Sequence, residues 1–172
     1  MSYKIITCVT TYNRVGYLKN IINTWRKTID KSYDHTLIIA DDGSIDGSIN
    51  YLKTLNFEEN IEVILNNRVG VAKQTNSLLN SALKHDFDYG FKADDDIWFK
   101  KPGWDKLYID AINSSGFEHL CYHNPKWLSP RRRAVSKGMV CAKTSAIECM
   151  GCFWTFTRNS LDAVGKFDEK NF

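Results

Sequence analysis

Residues 4–14 read KIITCVTTYNR, a short apolar, β-branched run that ends in polar side chains. Its first part, residues 4–10, is typical of a strand buried on both faces in a parallel sheet. After it, apolar residues recur at the i, i+3, i+4, i+7 spacing of one helix face, namely Leu18, Ile21, Ile22 and Trp25. The stretch therefore predicts a strand followed by a helix.

The same pattern recurs along the next hundred residues. Short buried strands are predicted at 36–40, 61–65 and 89–93. Apolar residues at helical spacing follow each of them: Ile45, Ile49 and Leu52, then Val71, Leu78, Leu79 and Ala82, then Trp104, Leu107, Tyr108, Ala111 and Ile112. Strand–helix alternation with short connections predicts an α/β fold, in which helices flank a mostly parallel sheet.

The rest of the chain is less regular. Residues 119–122 fit a short strand, residues 124–137 contain prolines and fit a loop, and residues 160–164 before Gly165 fit a short helix with a glycine stop. With no clear linker or repeat, we expect one domain over 1–172.

Composition excludes several classes of protein. The chain has 172 residues, of which 43% are hydrophobic and 25% charged, and these are ordinary globular values. A net charge of +3 is too small to indicate a nucleic-acid binder. No apolar run approaches the roughly 18 residues of a membrane span, so no transmembrane segment is predicted. Five cysteines without framework spacing indicate reduced thiols and a cytoplasmic protein.

Three of the predicted strands end in polar clusters. These are residues 10–14 (TTYNR), 41–44 (DDGS) and 94–96 (DDD). Ligands of open parallel sheets bind beyond the carboxyl ends of the strands. Because the fold would bring the three ends to one edge, we expect the clusters to form one site.

Asp94, Asp95 and Asp96 are three adjacent carboxylates that repel one another, and burial makes this repulsion stronger. A divalent cation would offset it, and oxygen ligands favour Mg²⁺ or Mn²⁺. The structural alternative is a solvated acidic turn.

Asp41 and Asp42 are suited to accept hydrogen bonds from a base N–H or a ribose hydroxyl. The structural alternative is a strand-to-helix turn in which Ser44 or Asp46 caps the helix. Arg68 follows the third strand and is suited to meet a base or a phosphate, or else it is an ordinary surface arginine.

The familiar phosphate-binding loops and the nucleophile elbow of hydrolases are missing from the sequence. It contains no G-x-G-x-x-G after the first strand, no P-loop and no G-x-S-x-G elbow. A nucleotide would therefore be held by side chains, with its diphosphate on a metal.

Cys149-x-x-Cys152, with Cys121, Cys141 and His123, is a weak zinc signal without a second C-x-x-C pair. The basic run at 131–133 fits a solvated loop or an anion contact.

These motifs, taken in order, resemble the GT-A glycosyltransferases of family 2. They are VTTYNR at 9–14, DDGS at 41–44, RVGVA at 68–72 with Asn76, DDD at 94–96, and a later segment at 151–169 that ends in GKFDE. The similarity runs in order across about residues 4–172. Each motif alone is weak, but their order and spacing are fairly specific.

The resemblance implies an inverting transferase that uses a nucleotide-diphospho-sugar, with UDP favoured, and Mn²⁺ or Mg²⁺. It implies that Thr10 and Tyr12 line the base pocket, that Asp41 contacts the base and that Arg68 faces it. In the run of three carboxylates it favours Asp94 for ribose and Asp96 for the metal, with Asp95 as the next choice of ligand. The full nucleotide-binding set is Thr10, Tyr12, Arg14, Asp41, Asp42, Arg68, Asp94 and Asp95. The resemblance also implies that residues 1–100 form the nucleotide- and metal-binding half of the domain, and residues 101–172 an acceptor-side half that is incomplete.

The general base is the weakest part of the resemblance. Family members usually continue into another acidic element that supplies it, whereas this sequence stops at Phe172. Either a shorter layout is used, or the sequence is part of a longer protein whose base lies beyond Phe172, and we favour the second. Asp168 and Glu169 are the late carboxylates to consider as catalytic groups, with a structural turn as the alternative. The acceptor, whether glycan, lipid or protein, is not indicated.

Two other functions remain open. The first is a non-catalytic module that binds a nucleotide-sugar within a larger protein. The second is a sugar nucleotidyltransferase, which is disfavoured because it would have a glycine-rich, basic loop where this sequence has Thr11-Tyr12-Asn13-Arg14.

Overall fold

The computed structural model describes residues 2–55, 58–121 and 151–170. In this part of the chain one five-stranded sheet has the order β3-β2-β1-β4-β5. The strands are β1 Lys4–Thr11, β2 Asp34–Asp41, β3 Ile61–Leu65, β4 Tyr89–Asp94 and β5 Phe153–Thr157. The first four run parallel and β5 is antiparallel to β4. The predicted α/β fold with a mostly parallel sheet is confirmed.

Helices cover both faces of this sheet. Side chains of α1 Val15–Thr28, α2 Ser48–Leu55 and α4 Trp104–Ser115 share one apolar cluster with Ile5, Val9 and Phe91. Those of α3 Val71–Ala82 and α5 Arg158–Val164 share the other cluster with Ile6, Cys8 and Phe156. The predicted helices are confirmed, although α2 begins later than expected and leaves Ile45 exposed in the preceding loop. No helix within the described ranges has the length and apolar character that a membrane crossing needs.

The predicted strand at 119–122 is wrong over its described residues. Cys121 forms only an isolated bridge with Trp154, and the strand at this side of the sheet is β5. The Thr155 N–H donates to the Leu120 carbonyl at 2.8 Å, but the backbone N–H of Leu120 donates to the side-chain Oγ1 of Thr155 at 2.7 Å instead of to a carbonyl. A side chain therefore takes the place of one ladder partner, and no regular pairing extends along the described part of this segment.

Strand β5 packs closely onto β4 because β4 contains a glycine. Gly90 lies opposite Phe156 in the register of the two strands. A Cβ atom on Gly90 would lie 2.2 Å from two atoms of the Phe156 ring. At its other end the pair is closed by the Asp94 N–H, which donates to the Cys152 carbonyl at 2.8 Å. Strand β5 thus supports the end of β4 that carries the acidic run.

Candidate functional site

The sheet register brings the three polar clusters together. Thr11 at the end of β1 pairs with Asp41 at the end of β2. On the other side of β1, Thr10 pairs with Asp94 at the end of β4. The clusters that are far apart in sequence therefore lie at one edge, around the carboxyl end of the central strand.

Two threonine hydroxyls connect β1 to the acidic run. Thr10 Oγ1 donates to Asp94 Oδ1 at 3.2 Å, and Thr11 Oγ1 donates to Asp95 Oδ2 at 2.7 Å. Neighbouring residues of an extended strand point to opposite faces. The two hydroxyls therefore orient two successive carboxylates in different directions.

Arg14 joins two of the carboxylates. Its Nη1 lies 3.2 Å from Asp95 Oδ1 and 2.9 Å from Asp96 Oδ2. Burial raises the pKa of Asp95, and the bonds from Thr11 and Arg14 oppose this. The same Asp95 charge is the main reason that the pKa of Arg14 is raised. Arg14 thus partly neutralises the acidic run.

Lys92 is a second cation at this run, and the sequence motifs did not indicate it. Its ammonium group contacts Asp94 Oδ1, and its side chain is buried in β4. The signal was present as a lysine inside the otherwise apolar strand YGFKA. A charge at a position that should be buried and apolar needs a partner, and here the partner is Asp94.

The structural alternative for the DDGS cluster was a turn with a helix cap, and Asp46 Oδ1 does accept from the backbone N–H of Ser48 at the start of α2, at 3.1 Å. In the turn itself, Asp41 Oδ1 accepts hydrogen bonds from the backbone N–H groups of Gly43 and Ser44 at 3.0 and 2.7 Å. Its other oxygen, Oδ2, is buried and finds no donor in the described part of the chain. A buried carboxylate oxygen without a donor is costly. The turn therefore uses only half of the acceptor capacity of Asp41.

Asp42 holds the loop that leads into α3. Its two oxygens accept from the backbone N–H groups of Val69 and Gly70 at 2.7 and 3.1 Å. Arg68 Nη1 lies 3.8 Å from Asp42 Oδ2. Asp42 thereby fixes the backbone directly after Arg68, and with it the position of Arg68 at the site.

Arg68 lies over an aromatic ring of the first cluster. Its Cζ is 3.7 Å from the centre of the Tyr12 ring, and its side chain is 58% exposed. The backbone of Arg68 has a φ of 52°, in the left-handed region. A guanidinium stacked on a phenol is a cation–π pair that presents a flat, polar surface. The two residues predicted at the base pocket are thus in contact with each other.

Gln74 is a further residue of this edge that the motifs did not indicate. Its buried Nε2 donates to the carbonyls of Thr11 and Ala40, both at 2.8 Å. A buried polar residue on the inner face of a predicted helix was the available signal. Gln74 thus joins the carboxyl ends of β1 and β2.

The two late carboxylates are tied to α3 and to their own turn. Asn76 Nδ2 donates to Glu169 Oε1 at 2.8 Å and to the Phe167 carbonyl at 2.9 Å, and Asn76 Oδ1 accepts from the Phe167 N–H. Asp168 accepts from the backbone N–H of Lys170, as in the structural alternative. Asn76 therefore positions the segment that carries both residues.

The other expected position of the catalytic base, beyond Phe172, lies outside the described residues, which end at Lys170. A base beyond Phe172 therefore stays a prediction, as does a catalytic role for Asp168 or Glu169.

The residues of the acidic run fit a hard cation only in part. The side chain of Asp96 is 45% exposed, whereas that of Asp95 is 4% exposed and has both oxygens hydrogen-bonded. In residues 2–55, 58–121 and 151–170 no group of three or more His, Cys, Asp or Glu is arranged to hold an ion. Mg²⁺ typically takes one or two carboxylates and completes its shell with phosphate oxygens and water. Asp96 suits such an ion when a diphosphate accompanies it.

Several other sequence features lie outside the described residues. They are the predicted loop at 124–137 with its basic run at 131–133, and Cys141, Cys149 and His123 of the weak zinc signal. The expectations attached to these residues stay predictions.

The described cysteines are Cys8, Cys121 and Cys152, and they form no disulfide with one another. Burial raises the pKa of Cys8 to about 12, which keeps this thiol protonated and unreactive. Burial also raises the pKa of Cys152, with the nearby Asp94 charge as the second cause. Neither of these two thiols therefore has the character of a nucleophile.

Comparison with known proteins gives the same family as the resemblance of the sequence motifs. The family model described as glycosyl transferase family 2 matches residues 7–165. An uncharacterised glycosyltransferase of Acanthamoeba polyphaga mimivirus, R363, is 28% identical over 128 residues, which is 72% of this chain and 50% of that protein. This chain therefore spans about half the length of the curated relative it matches.

Solved structures show the same fold. TarS of S. aureus, residues 1–349 in complex with UDP, matches 97% of this chain and 51% of its own chain, with a TM-score of 0.71 and 18% identity. The mannosyltransferase PcManGT of Pyrobaculum calidifontis, in complex with GDP-Man and Mn²⁺, matches 98% of this chain and 48% of its own, with a TM-score of 0.66 and 16% identity. The family match covers nearly the whole chain, and we conclude that this chain belongs to glycosyl transferase family 2.

Proposed function

We propose that this domain transfers a sugar from a nucleotide diphosphate donor to a hydroxyl-bearing acceptor, with inversion at the anomeric carbon. The observation that carries the proposal is the register of β1 with β2 and β4, which puts Asp41 and Asp94 on either side of one strand end. Base, ribose and diphosphate groups can then be bound at a single edge of the sheet. The whole of 1–172 would act as one domain.

The base would bind beside Tyr12 and Arg68, whose stacked pair offers a flat polar surface. The buried Oδ2 of Asp41, which has no donor in the described residues, suits a base N–H. Thr10 holds Asp94 where it can accept from a ribose hydroxyl. We take UDP as the first donor to test because the family resemblance favours it, with GDP as the second.

Asp96 would hold the divalent cation, Mn²⁺ or Mg²⁺, because it is the most accessible carboxylate of the acidic run. When bound, such an ion supplies Lewis-acid stabilisation of the negative charge on the leaving diphosphate. Asp95 would serve mainly to orient Arg14 and Thr11, which already occupy both of its oxygens. It is the second choice as a metal ligand.

Inversion requires a base that takes the proton of the acceptor hydroxyl. Asp168 and Glu169 are our candidates in the described part of the chain, and Asn76 holds the Glu169 carboxylate in a fixed position. A carboxylate beyond Phe172 is the alternative base. The acceptor, a glycan, a lipid or a protein, would approach the side formed by residues 101–172.

The proposal is tested by changing Asp96 and measuring release of UDP from a panel of UDP-sugars with Mn²⁺. We expect Asp96→Ala to abolish turnover that depends on metal, with an unchanged circular dichroism spectrum, because its side chain is 45% exposed and, among the described residues, its carboxylate pairs with Arg14 alone. Asp110→Ala is the matched control, since it removes an exposed carboxylate on α4 that pairs with Lys106.

Each outcome has a clear meaning. Normal turnover by Asp96→Ala with Mn²⁺ would contradict the metal assignment. If the unchanged chain binds UDP tightly but turns over no UDP- or GDP-sugar, the non-catalytic nucleotide-sugar-binding module replaces the transferase.

A further inference from the structure

We propose that Arg14 is a resident cation of the donor site that competes with the divalent metal for Asp96, so that metal binds well only together with the nucleotide. This inference rests on the proposed function, because it concerns the same donor site. Arg14 would act as a positioning residue that controls access of the metal to Asp96. This role differs from direct contact with a base or ribose.

The Arg14 backbone is held firmly at the far side of the site. The preceding residue, Asn13, donates its backbone N–H to Ser44 Oγ at 2.7 Å, and its side-chain Oδ1 accepts from the Ile45 N–H at 2.7 Å. The following residue, Val15, donates its N–H to Asp46 Oδ2 at 2.8 Å. Arg14 is therefore anchored to the loop after β2, while its guanidinium group extends to the carboxylates after β4.

The negative charge of the acidic run is largely offset without any metal. Among the described residues, its three carboxylates face two cations, Lys92 on Asp94 and Arg14 on Asp95 and Asp96. The side chain of Lys92 is buried. That of Arg14 is 50% exposed. Of these two cations, Arg14 is thus the one that has room to move.

A divalent ion on Asp96 would lie within a few ångströms of the Arg14 guanidinium group. Two cations at such a distance repel each other, and the repulsion is larger next to a partly buried site than in water. A diphosphate changes this balance, because a guanidinium group binds phosphate oxygens in a bidentate manner. Arg14 would then exchange Asp96 for the diphosphate and leave Asp96 to the metal, which couples the two binding events positively.

The experiment measures Mn²⁺ binding, by the electron paramagnetic resonance signal of free Mn²⁺, with and without UDP. For the unchanged chain we expect weak Mn²⁺ binding that becomes at least about tenfold tighter with UDP. For Arg14→Gln we expect Mn²⁺ alone to bind about tenfold more tightly than to the unchanged chain. The further gain on adding UDP should largely disappear in this variant.

Two further variants separate charge from structure. Arg26→Gln removes a positive charge from α1, where Arg26 pairs with Glu58 on the surface, and should leave Mn²⁺ affinity unchanged. Arg14→Lys keeps the charge and should keep Mn²⁺ affinity close to that of the unchanged chain. If Arg14→Lys binds Mn²⁺ as tightly as Arg14→Gln, the effect is not one of charge and the inference is overturned.

The inference and the proposed function fail in different ways. Equal Mn²⁺ affinities of Arg14→Gln and the unchanged chain, in a protein that still binds UDP, would overturn the competition alone. Failure of the unchanged chain to bind UDP at any Mn²⁺ concentration would remove the donor site and both proposals with it. Circular dichroism of each variant confirms that the compared proteins are folded.

Discussion

The amide of Gln74 satisfies two backbone carbonyls at once, one from each of two strands. Replacing it by leucine keeps a good helix former of similar size but leaves the carbonyls of Thr11 and Ala40 without this donor. We expect Gln74→Leu to lower the free energy of unfolding by about 2 kcal/mol, because two buried hydrogen bonds worth about 1 kcal/mol each are lost. Urea denaturation measures this value.

The neighbouring position on α3 supplies the control. Lys73 is exposed, so Lys73→Leu should change the free energy of unfolding by no more than about 0.5 kcal/mol. Equal stabilities of the two leucine variants would show that the Gln74 bonds contribute nothing.

At the scale of single residues, the sequence predicted which clusters meet but not what each carboxylate binds. Asp41 and Asp42 look alike in DDGS, yet one closes a turn and the other holds the loop before α3. Only the three-dimensional positions of the backbone N–H groups distinguish them. The motifs did not indicate Lys92, because a single charge inside an apolar strand does not show in the sequence which residue it pairs with. The ligand roles of all these residues stay predictions.

Among the elements, the pair β4–β5 depends on a glycine opposite an aromatic ring. We expect Gly90→Ala to destabilise the fold by about 3 kcal/mol, because the new methyl group would overlap the Phe156 ring. In a Phe156→Leu background the added cost of Gly90→Ala should fall below about 1 kcal/mol. Thermal and urea unfolding of the four proteins form a double-mutant cycle.

Gly16 provides the matched glycine. It lies in α1 with nothing within 4 Å of an added Cβ. Gly16→Ala should raise stability by up to about 1 kcal/mol, since alanine favours the helix. Strictly additive effects of Gly90→Ala and Phe156→Leu would show that the ring is not the obstacle.

The elements themselves were largely predictable, with one exception. Strands β1 to β4 are apolar runs that stop at polar clusters, and the helices carry their apolar faces at regular spacing, so local patterns suffice. Strand β5 was not predicted, because five residues rich in aromatics carry no periodicity that separates an antiparallel strand from a buried loop. Its place is set by the long-range fit of Phe156 over Gly90.

For the whole molecule, Asn76 is the link between α3 and the segment after α5. We expect Asn76→Ala to lower the hydrogen-exchange protection of the Phe167 amide by about tenfold, because that N–H loses its acceptor. Exchange measured by mass spectrometry on peptides covering 165–170 tests this. Protection in β1 and β4 should be unchanged.

Asn80 is the control for this prediction. It accepts an exposed hydrogen bond from Lys166, one residue before Phe167. Asn80→Ala should leave exchange at Phe167 nearly unchanged. If both variants behave alike, Asn76 does not hold the segment.

The antiparallel pairing of β5 has a consequence for how this domain can vary. The chain leaves the sheet after Asp94 and re-enters it at Phe153, and the Asp94 N–H and the Cys152 carbonyl are 2.8 Å apart. The stretch between these residues thus begins and ends at one point of the sheet, the end of the β4–β5 pair beside the acidic residues. A segment exchanged at this point between members of the family would have to keep the apolar face of α4, because Trp104 of that helix packs against Phe91 of β4.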